Sequence, residues 1–542
     1  MAKFNLIDEP WIPCIDLQGK QVEHGIKSAM LKAHELSEIV DDSPLVTVAI
    51  HRLLLAILYR AFQGPTSMRE WQVLYKRSAF EADGPIDSYL EKWRERFFLF
   101  HDTHPFMQVA ELDLNEYKND GSVRKDKTSG MMRLAKEAPD QSGRILFDHR
   151  MGNVRPEYEP KQIVKMLLSS QNYSGTGTGN STGKIGAKNF SNVKASAGPC
   201  VDGLVLWLQG NSLFETLLLN LVPREFFPSD LPCWEDDHIV QSAINSWTRA
   251  TSFTGPCQRF APLSRFIRAI DLRSIFFTNG LKVAADANDP MKAYFRENDS
   301  KPYTAAKLRE HKAAWRDAHT LMAVGQDNHK CPECLNFAAR LANSGASMRL
   351  RANVVGMATD QDKALLWRHE RMPVPTALLN DVNLIERLGS SLVNAEQAGG
   401  ELNSRIRRIA KLYLSPTAED QGGREPHKDD VSKMAQDLDP RPAYWARLER
   451  HFLDLLENLP NDWDADAGEW KPEDQQNATN AWRENVKLEA KRALEESIQK
   501  LGTTARAIQA VARVRTDFND DDLKPKAQKN RTAKGKGGQR KE

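Results

Sequence analysis

Residues 374–414 read VPTALLNDVNLIERLGSSLVNAEQAGGELNSRIRRIAKLYL. Apolar positions recur three and four apart across 376–396 and again across 402–414, the period of a helix with one buried face. Two more amphipathic runs follow, at 442–459 and 474–514, with breaks at Gln421-Gly422-Gly423 and Leu459-Pro460. Long amphipathic helices joined by short breaks predict an antiparallel bundle of four-helix type. Ahead of Val374 the pattern changes, and short strand-like and helical segments alternate without a repeat. The expected fold class is α+β. A large mixed α/β N-terminal domain takes residues 1–373 and a C-terminal helical bundle takes 374–516. A basic disordered tail takes 517–542, where KPKAQKNRTAKGKGGQRK is low in complexity.

Composition narrows the function classes. Lys+Arg number 75 against 73 Asp+Glu, a net charge of +2. The chain is no general polycation, so any nucleic-acid contact must be local. Cys14, Cys200, Cys233, Cys257, Cys331 and Cys334 are widely scattered, which suits a reducing cytoplasm. The opening MAKFNLIDEPWIP lacks an apolar signal core, and no apolar run reaches about 18 residues. A soluble, cytoplasmic protein without a membrane partner is expected.

The N-terminal part offers several local predictions. Residues 43–61, SPLVTVAIHRLLLAILYRA, predict a buried helix. Residues 111–143 are polar without a period and predict a mobile excursion. Residues 203–223 predict a strand, a turn and a helix, with Ser212 and Glu215 spaced as a capping box. Residues 265–283, RFIRAIDLRSIFFTNGLKV, predict a hairpin turning at Thr278-Asn279-Gly280, from which Arg265, Arg268 and Arg273 project. Residues 348–359 predict a strand that runs to a polar tip at 360–363, holding Gln361.

The stretch with the strongest chemical signal is 167–190, LLSSQNYSGTGTGNSTGKIGAKNF. Glycines let another molecule approach the backbone, and exposed N–H and hydroxyl groups donate to phosphates or base edges. A polyanion is the natural ligand. A P-loop would need glycine where Thr178 stands and Ser or Thr where Ile185 stands. A dinucleotide fingerprint would need a different glycine spacing after a strand, whereas a helix over 160–170 precedes Gly175. A nucleotide-dependent enzyme is therefore the weaker alternative, and a flexible linker is the plain one.

Cys331-Pro-Glu-Cys334 is half of a zinc site, and the other half is missing from the sequence. A tight turn with buried thiols explains it as well, so zinc is only a candidate cofactor. His101-Asp102 lacks companions at metal-ligand spacing and reads as helix-end capping.

The order of NLIDEPWIP (5–13), HPFMQ (104–108), the glycine stretch, LFETLLLNLVP (213–223), WRD (315–317) and the bundle resembles the large subunit, CasA, of type I-E CRISPR Cascade complexes. The resemblance implies a non-catalytic subunit of an RNA-guided antiviral assembly. Its implied partners are double-stranded target DNA, the guide RNA (crRNA), the backbone, small and 5′-handle-binding subunits, and a helicase-nuclease that it docks. It implies recognition of the short flanking motif, the PAM, from the minor groove, followed by duplex opening for R-loop formation. On this resemblance the PAM loop matches Gly175, Thr176, Gly177, Thr178 and Gly179. The minor-groove cation matches Arg273, with Arg268 as the alternative. The wedge beside the PAM matches Gln361. The loop that touches guide and neighbouring subunits matches Phe147, His149, Arg150 and Arg155. The paired cysteines that some relatives carry in that loop are missing here. A subunit acting purely as a scaffold is the remaining alternative.

Overall fold

Ser43 accepts the Val46 N–H, Pro44 fills the first helical position, and an apolar helix runs through Pro44–Phe62. Every residue from Leu45 to Tyr59 is buried, so this is the core helix of its unit. It is also the one helix, among the described residues, long and apolar enough to cross a membrane, and its burial inside protein accounts for that composition. Arg52 sits in its middle, paired to Asp289 at 3.0 Å and donating to the Arg259 carbonyl at 2.7 Å. A buried charge persists only with such partners.

The computed structural model describes residues 4–118, 120–135, 155–176, 181–192, 196–245, 250–344, 350–360 and 363–525. Two compact units are distinguished: Met1–Ala314 with Thr320–Met372, and Trp315–His319 with Pro373–Glu542.

In the first unit Val205–Gln209 pairs antiparallel with Leu350–Asp360, from Val205 opposite Val355 to Gln209 opposite Arg351, and Lys363–Val374 completes that sheet. The helix Leu213–Asn220 follows the first of these strands. Ser212 Oγ accepts the Glu215 N–H, but the Glu215 carboxylate turns to Asn211 N and Nδ2 at 2.8 and 3.0 Å. Only one half of the predicted capping box is made.

Two predictions in this unit are corrected. The hairpin strands are Arg265–Ala269 and Ser274–Asn279, with Arg265 opposite Asn279. The turn therefore lies at 270–273, not at 278–280. Asp271 Oδ1 accepts the N–H groups of Arg273 and Ser274, each at 2.7 Å, and this side-chain turn outcompetes the Asn-Gly signal. The polar excursion is likewise more structured than its composition suggests. Leu112–Asp113, Glu116–Tyr117, Val123–Lys125 and Ser129–Gly130 are short strands, and Ser129–Gly130 extends the hairpin sheet alongside Ser274 and Ile275.

The second unit is helical. Val382–Leu414 is one helix of 33 residues, running straight through Gly399-Gly400 where two segments were expected. A Cβ on Gly399 would lie 2.9 Å from Trp445 Cζ2, so the glycine admits the helix Arg441–Asn458 at close range. The run at 474–514 instead divides into Asn477–Gln499 and Ala505–Ala512, with Gly502 at φ +71° between them. Trp315 packs on Phe452 with ring centroids 4.8 Å apart, and Arg316 pairs with Glu396 at 2.6 Å. These contacts explain why a short earlier segment belongs to this unit. Residues 517–525 are also packed here: Leu523 is buried, and Arg405 lies over the Phe518 ring and 3.0 Å from Asp522. Burial of those side chains moves the start of any disordered tail beyond 517, and 526–542 lie outside the described residues.

Candidate nucleic-acid interface

The helix Pro160–Tyr173 leads into the glycine stretch. Its last turn is built from polar residues that are nonetheless buried: Ser169, Ser170, Gln171 and Asn172. Gln171 explains why burial is tolerated. Its amide nitrogen donates to the Met107 and Arg265 carbonyls at 3.2 and 2.9 Å, and its amide oxygen accepts the Arg265 N–H at 2.9 Å. The root of the glycine stretch is thus stitched to the first strand of the arginine hairpin.

Gly175 and Thr176 continue from that root and are half-buried. Gly177, Thr178 and Gly179 lie outside the described residues. The chain returns as a hairpin, Ser181–Ile185 with Lys188–Asn192, turning on Gly186 at φ +58° and Ala187. The sequence presented this half as loop, because its strands carry few of the branched or aromatic residues that mark strands. Gly183-Lys184 therefore lies in a strand rather than at a helix start, so it is not arranged as a P-loop. Lys184 and Lys188 are exposed, and Lys184 stands 5.7 Å above the Tyr117 ring.

The three hairpin arginines differ in position. Arg273 lies in the turn with an exposed side chain, and its Nη2 donates to Glu157 at 2.8 Å. Arg268 does not project freely: it is half-buried, and its Nη1 donates to the Leu112 carbonyl at 3.1 Å. Arg265 is buried and does not project at all. It donates to the carbonyls of Ser174, Gly175 and Ser196.

Arg155 reaches the same turn. It donates to Thr128 Oγ1 at 2.8 Å, to the Thr128 carbonyl at 2.9 Å and to Ser274 Oγ at 3.3 Å. The Tyr158 N–H adds a bond to the Leu272 carbonyl at 3.0 Å. Two candidates read from separate parts of the sequence, Arg155 and Arg273, are brought to one exposed turn. Phe147, His149 and Arg150 lie outside the described residues, as does Gln361. The strands that flank Gln361 are described, ending at Asp360 and resuming at Lys363.

Cys331 and Cys334 are buried beside the strand His329–Lys330 and in the helix Glu333–Asn343. Burial pushes the Cys331 thiol up to about 12 and raises Cys334 as well. Among the described residues no group of three or more His, Cys, Asp or Glu is placed to hold a metal, so the pair is not joined by the further ligands a structural zinc site takes. His101 Nδ1 accepts the N–H groups of Thr103 and His104 at 3.3 and 3.0 Å, which is capping.

Sequence reasoning missed Gln171, Glu157 and the interior position of Arg265. One signal was available: an unbroken polar run, SSQNYS, at the end of an otherwise apolar helix face.

The profile of the family described as CRISPR-associated protein Cse1 matches residues 5–493. A CasA/Cse1 protein from Thermus thermophilus is 30% identical over 527 residues, covering 96% of this chain and 97% of that protein. A crystal structure of Thermus thermophilus CasA superposes with a TM-score of 0.75 at 29% identity, over 94% of this chain and 98% of that one. A chain from a CRISPR RNA-guided surveillance complex shares the fold, with a TM-score of 0.70 at 20% identity over 95% and 99% of the two chains.

Proposed function

The chain belongs to the CRISPR-associated Cse1 family, as the large subunit of a type I-E Cascade surveillance complex, and from that premise we propose how it acts. It reads the PAM on duplex DNA through the Gly175–Gly179 loop and Arg273. The observation that carries this reading is the stitching of the glycine root to the hairpin by Gln171, with Arg273 exposed at the far end of the same hairpin. A backbone-rich loop and a cation suit the minor groove, which distinguishes mainly A·T from G·C and gains from an inserted positive charge. Several related PAMs are then accepted.

Gln361, between the strands ending at Asp360 and resuming at Lys363, acts as the wedge beside the PAM. Unstacking a base step costs a few kcal/mol, which guide–target pairing offsets. The subunit docks the helicase-nuclease and itself performs no chemistry.

The experiment is a gel-shift series on the complex assembled with guide RNA. Gly177→Asp is expected to abolish PAM-dependent binding with the fold retained, since its charge opposes phosphate and its side chain blocks close approach. Gln361→Ala is expected to leave PAM binding intact and slow strand opening, with rescue by a bubble placed next to the PAM. Unchanged affinity for Gly177→Asp would leave a scaffold role as the better reading.

A further inference from the structure

We propose that Arg265 is a positioning residue for PAM reading: it clamps both roots of the excursion 175–196, which carries the glycine loop and the hairpin after it, to the hairpin that carries Arg273. The inference rests on the PAM-reading role argued above.

The stretch that leaves at Gly175 contains the hairpin Ser181–Ile185 with Lys188–Asn192, which pairs with Leu112–Asp113, and at Ser196 the chain is again beside its starting point. One guanidinium reaches both roots. Arg265 Nη2 donates to the Ser174 carbonyl at 3.3 Å and to the Gly175 carbonyl, and Nη1 donates to the Ser196 carbonyl at 3.0 Å. Its backbone is fixed on the other side, by Gln171 and by pairing with Asn279. Ser264 adds a hydroxyl bond to the Gln171 carbonyl at 2.5 Å. Arg265 is 2% exposed, so it contacts no DNA itself.

The residue type fits this task. A planar guanidinium offers five donors in a fixed fork and can hold carbonyls from two separate chain segments at once, whereas an ammonium is a point charge on a flexible stem. The exit root has further fastenings, and they mark the same junction. Ser196 Oγ donates to the Val283 carbonyl at 3.1 Å and accepts the Val283 N–H at 3.0 Å. The Gly198 N–H donates to the Ser174 carbonyl at 2.8 Å.

The physical consequence is preorganisation. A stretch rich in Gly, Ser and Thr has many conformations, and each one lost on binding costs affinity. Fixed roots remove part of that cost beforehand. Without the clamp the loop retains its own DNA-facing groups but presents them less often in the binding geometry. PAM-dependent affinity then falls, while contacts made by exposed lysines elsewhere persist.

The test uses the assembled complex carrying Arg265→Met, Arg265→Lys, Ser196→Ala or Gly177→Asp. Binding is measured on PAM duplex and on duplex without a PAM, together with hydrogen exchange at 171–176 and 196–200. Arg265→Met is expected to lose about tenfold or more on PAM duplex, with little change on the other, and to speed exchange at both roots. Arg265→Lys is expected to recover part of the loss. Ser196→Ala loosens the exit root without removing a buried charge, and is expected to shift PAM binding in the same direction. It decides the matter together with Arg265→Lys if Arg265→Met fails to assemble. Wild-type PAM binding by these variants overturns the clamp, as does an equal loss on both duplexes. If Gly177→Asp binds normally, the loop reading itself fails; if it loses binding while the Arg265 and Ser196 variants do not, only the clamp fails.

Discussion

Arg273 and Glu157 form an ion pair across the hairpin turn, Nη2 to Oε2 at 2.8 Å, with the two side chains 57% and 52% exposed. The cation assigned to the minor groove is thus neutralised in the free subunit by a neighbour that water and salt already weaken. Exposed pairs are worth only about 0.2–1 kcal/mol, so DNA can displace Glu157 at small cost.

Glu157→Gln is therefore expected to tighten PAM-duplex binding by up to about fivefold, with the gain shrinking as salt rises. Arg273→Ala should weaken binding of a paired PAM more than of a target already single-stranded there. Fluorescence titrations at two salt concentrations measure both. No gain for Glu157→Gln at low salt would mean that Arg273 does not leave its partner for DNA.

Two adjacent glycines in one helix should respond oppositely to alanine. A methyl group placed on Gly400 would meet nothing within 4 Å, so Gly400→Ala should gain about 0.5–1 kcal/mol from helix propensity. At Gly399 the methyl would press on Trp445, whose ring centroid also lies 3.5 Å from the Arg316 guanidinium. Overpacking of this kind costs about 1–3 kcal/mol, enough to cancel or reverse the propensity gain. Denaturant melts of the two variants check the contrast, and equal stabilisation would refute the close approach.

Acid should destabilise the first unit through a ring stack. His51 and His369 each pack on Trp207, with centroids 5.1 and 5.6 Å from it, and burial lowers each histidine to about 4. The unfolded chain takes up these protons near pH 6.5, whereas the folded chain waits until about pH 4. Stability is thus full above about pH 6.5 and is lost progressively toward pH 4, by about 3 kcal/mol for the fully buried His51. His51→Asn, which keeps an amide donor toward the Thr47 carbonyl, should flatten the dependence of Tm on pH over that range. An unchanged slope would assign the acid sensitivity to other groups.

Deleting residues 526–542 should weaken non-specific DNA binding and flatten its salt dependence while leaving PAM preference intact. The segment carries seven lysines and arginines, and only those close to phosphates contribute counterion release. The cut spares 517–525, whose Asp522 pairs with Arg405. Competition binding across a salt series reads the effect, and an altered PAM preference would give the tail a reading role.

The sequence by itself determined the elements whose cause is local. The amphipathic period of 376–414 specified helix, and Ser43-Pro44 specified where the core helix begins, because caps and buried faces depend on neighbours within about four residues. The order of motifs along the chain also carried the family, since it needs no folding to be read. Local rules failed where two local signals competed: Asp271 won the hairpin turn from Asn279-Gly280, and the continuous helix Val382–Leu414 overrode its paired glycines. The pairing of distant groups was decided only by tertiary structure. Arg265 meets the Gly175 carbonyl across a sequence separation of 90, and Arg273 meets Glu157 across 116. Nothing in the composition near an arginine tells whether it will be buried on carbonyls, tied to a strand edge like Arg268, or left at a turn like Arg273. That choice follows from how the chain closes, because a guanidinium can be buried only where folding has already gathered enough acceptors to replace water.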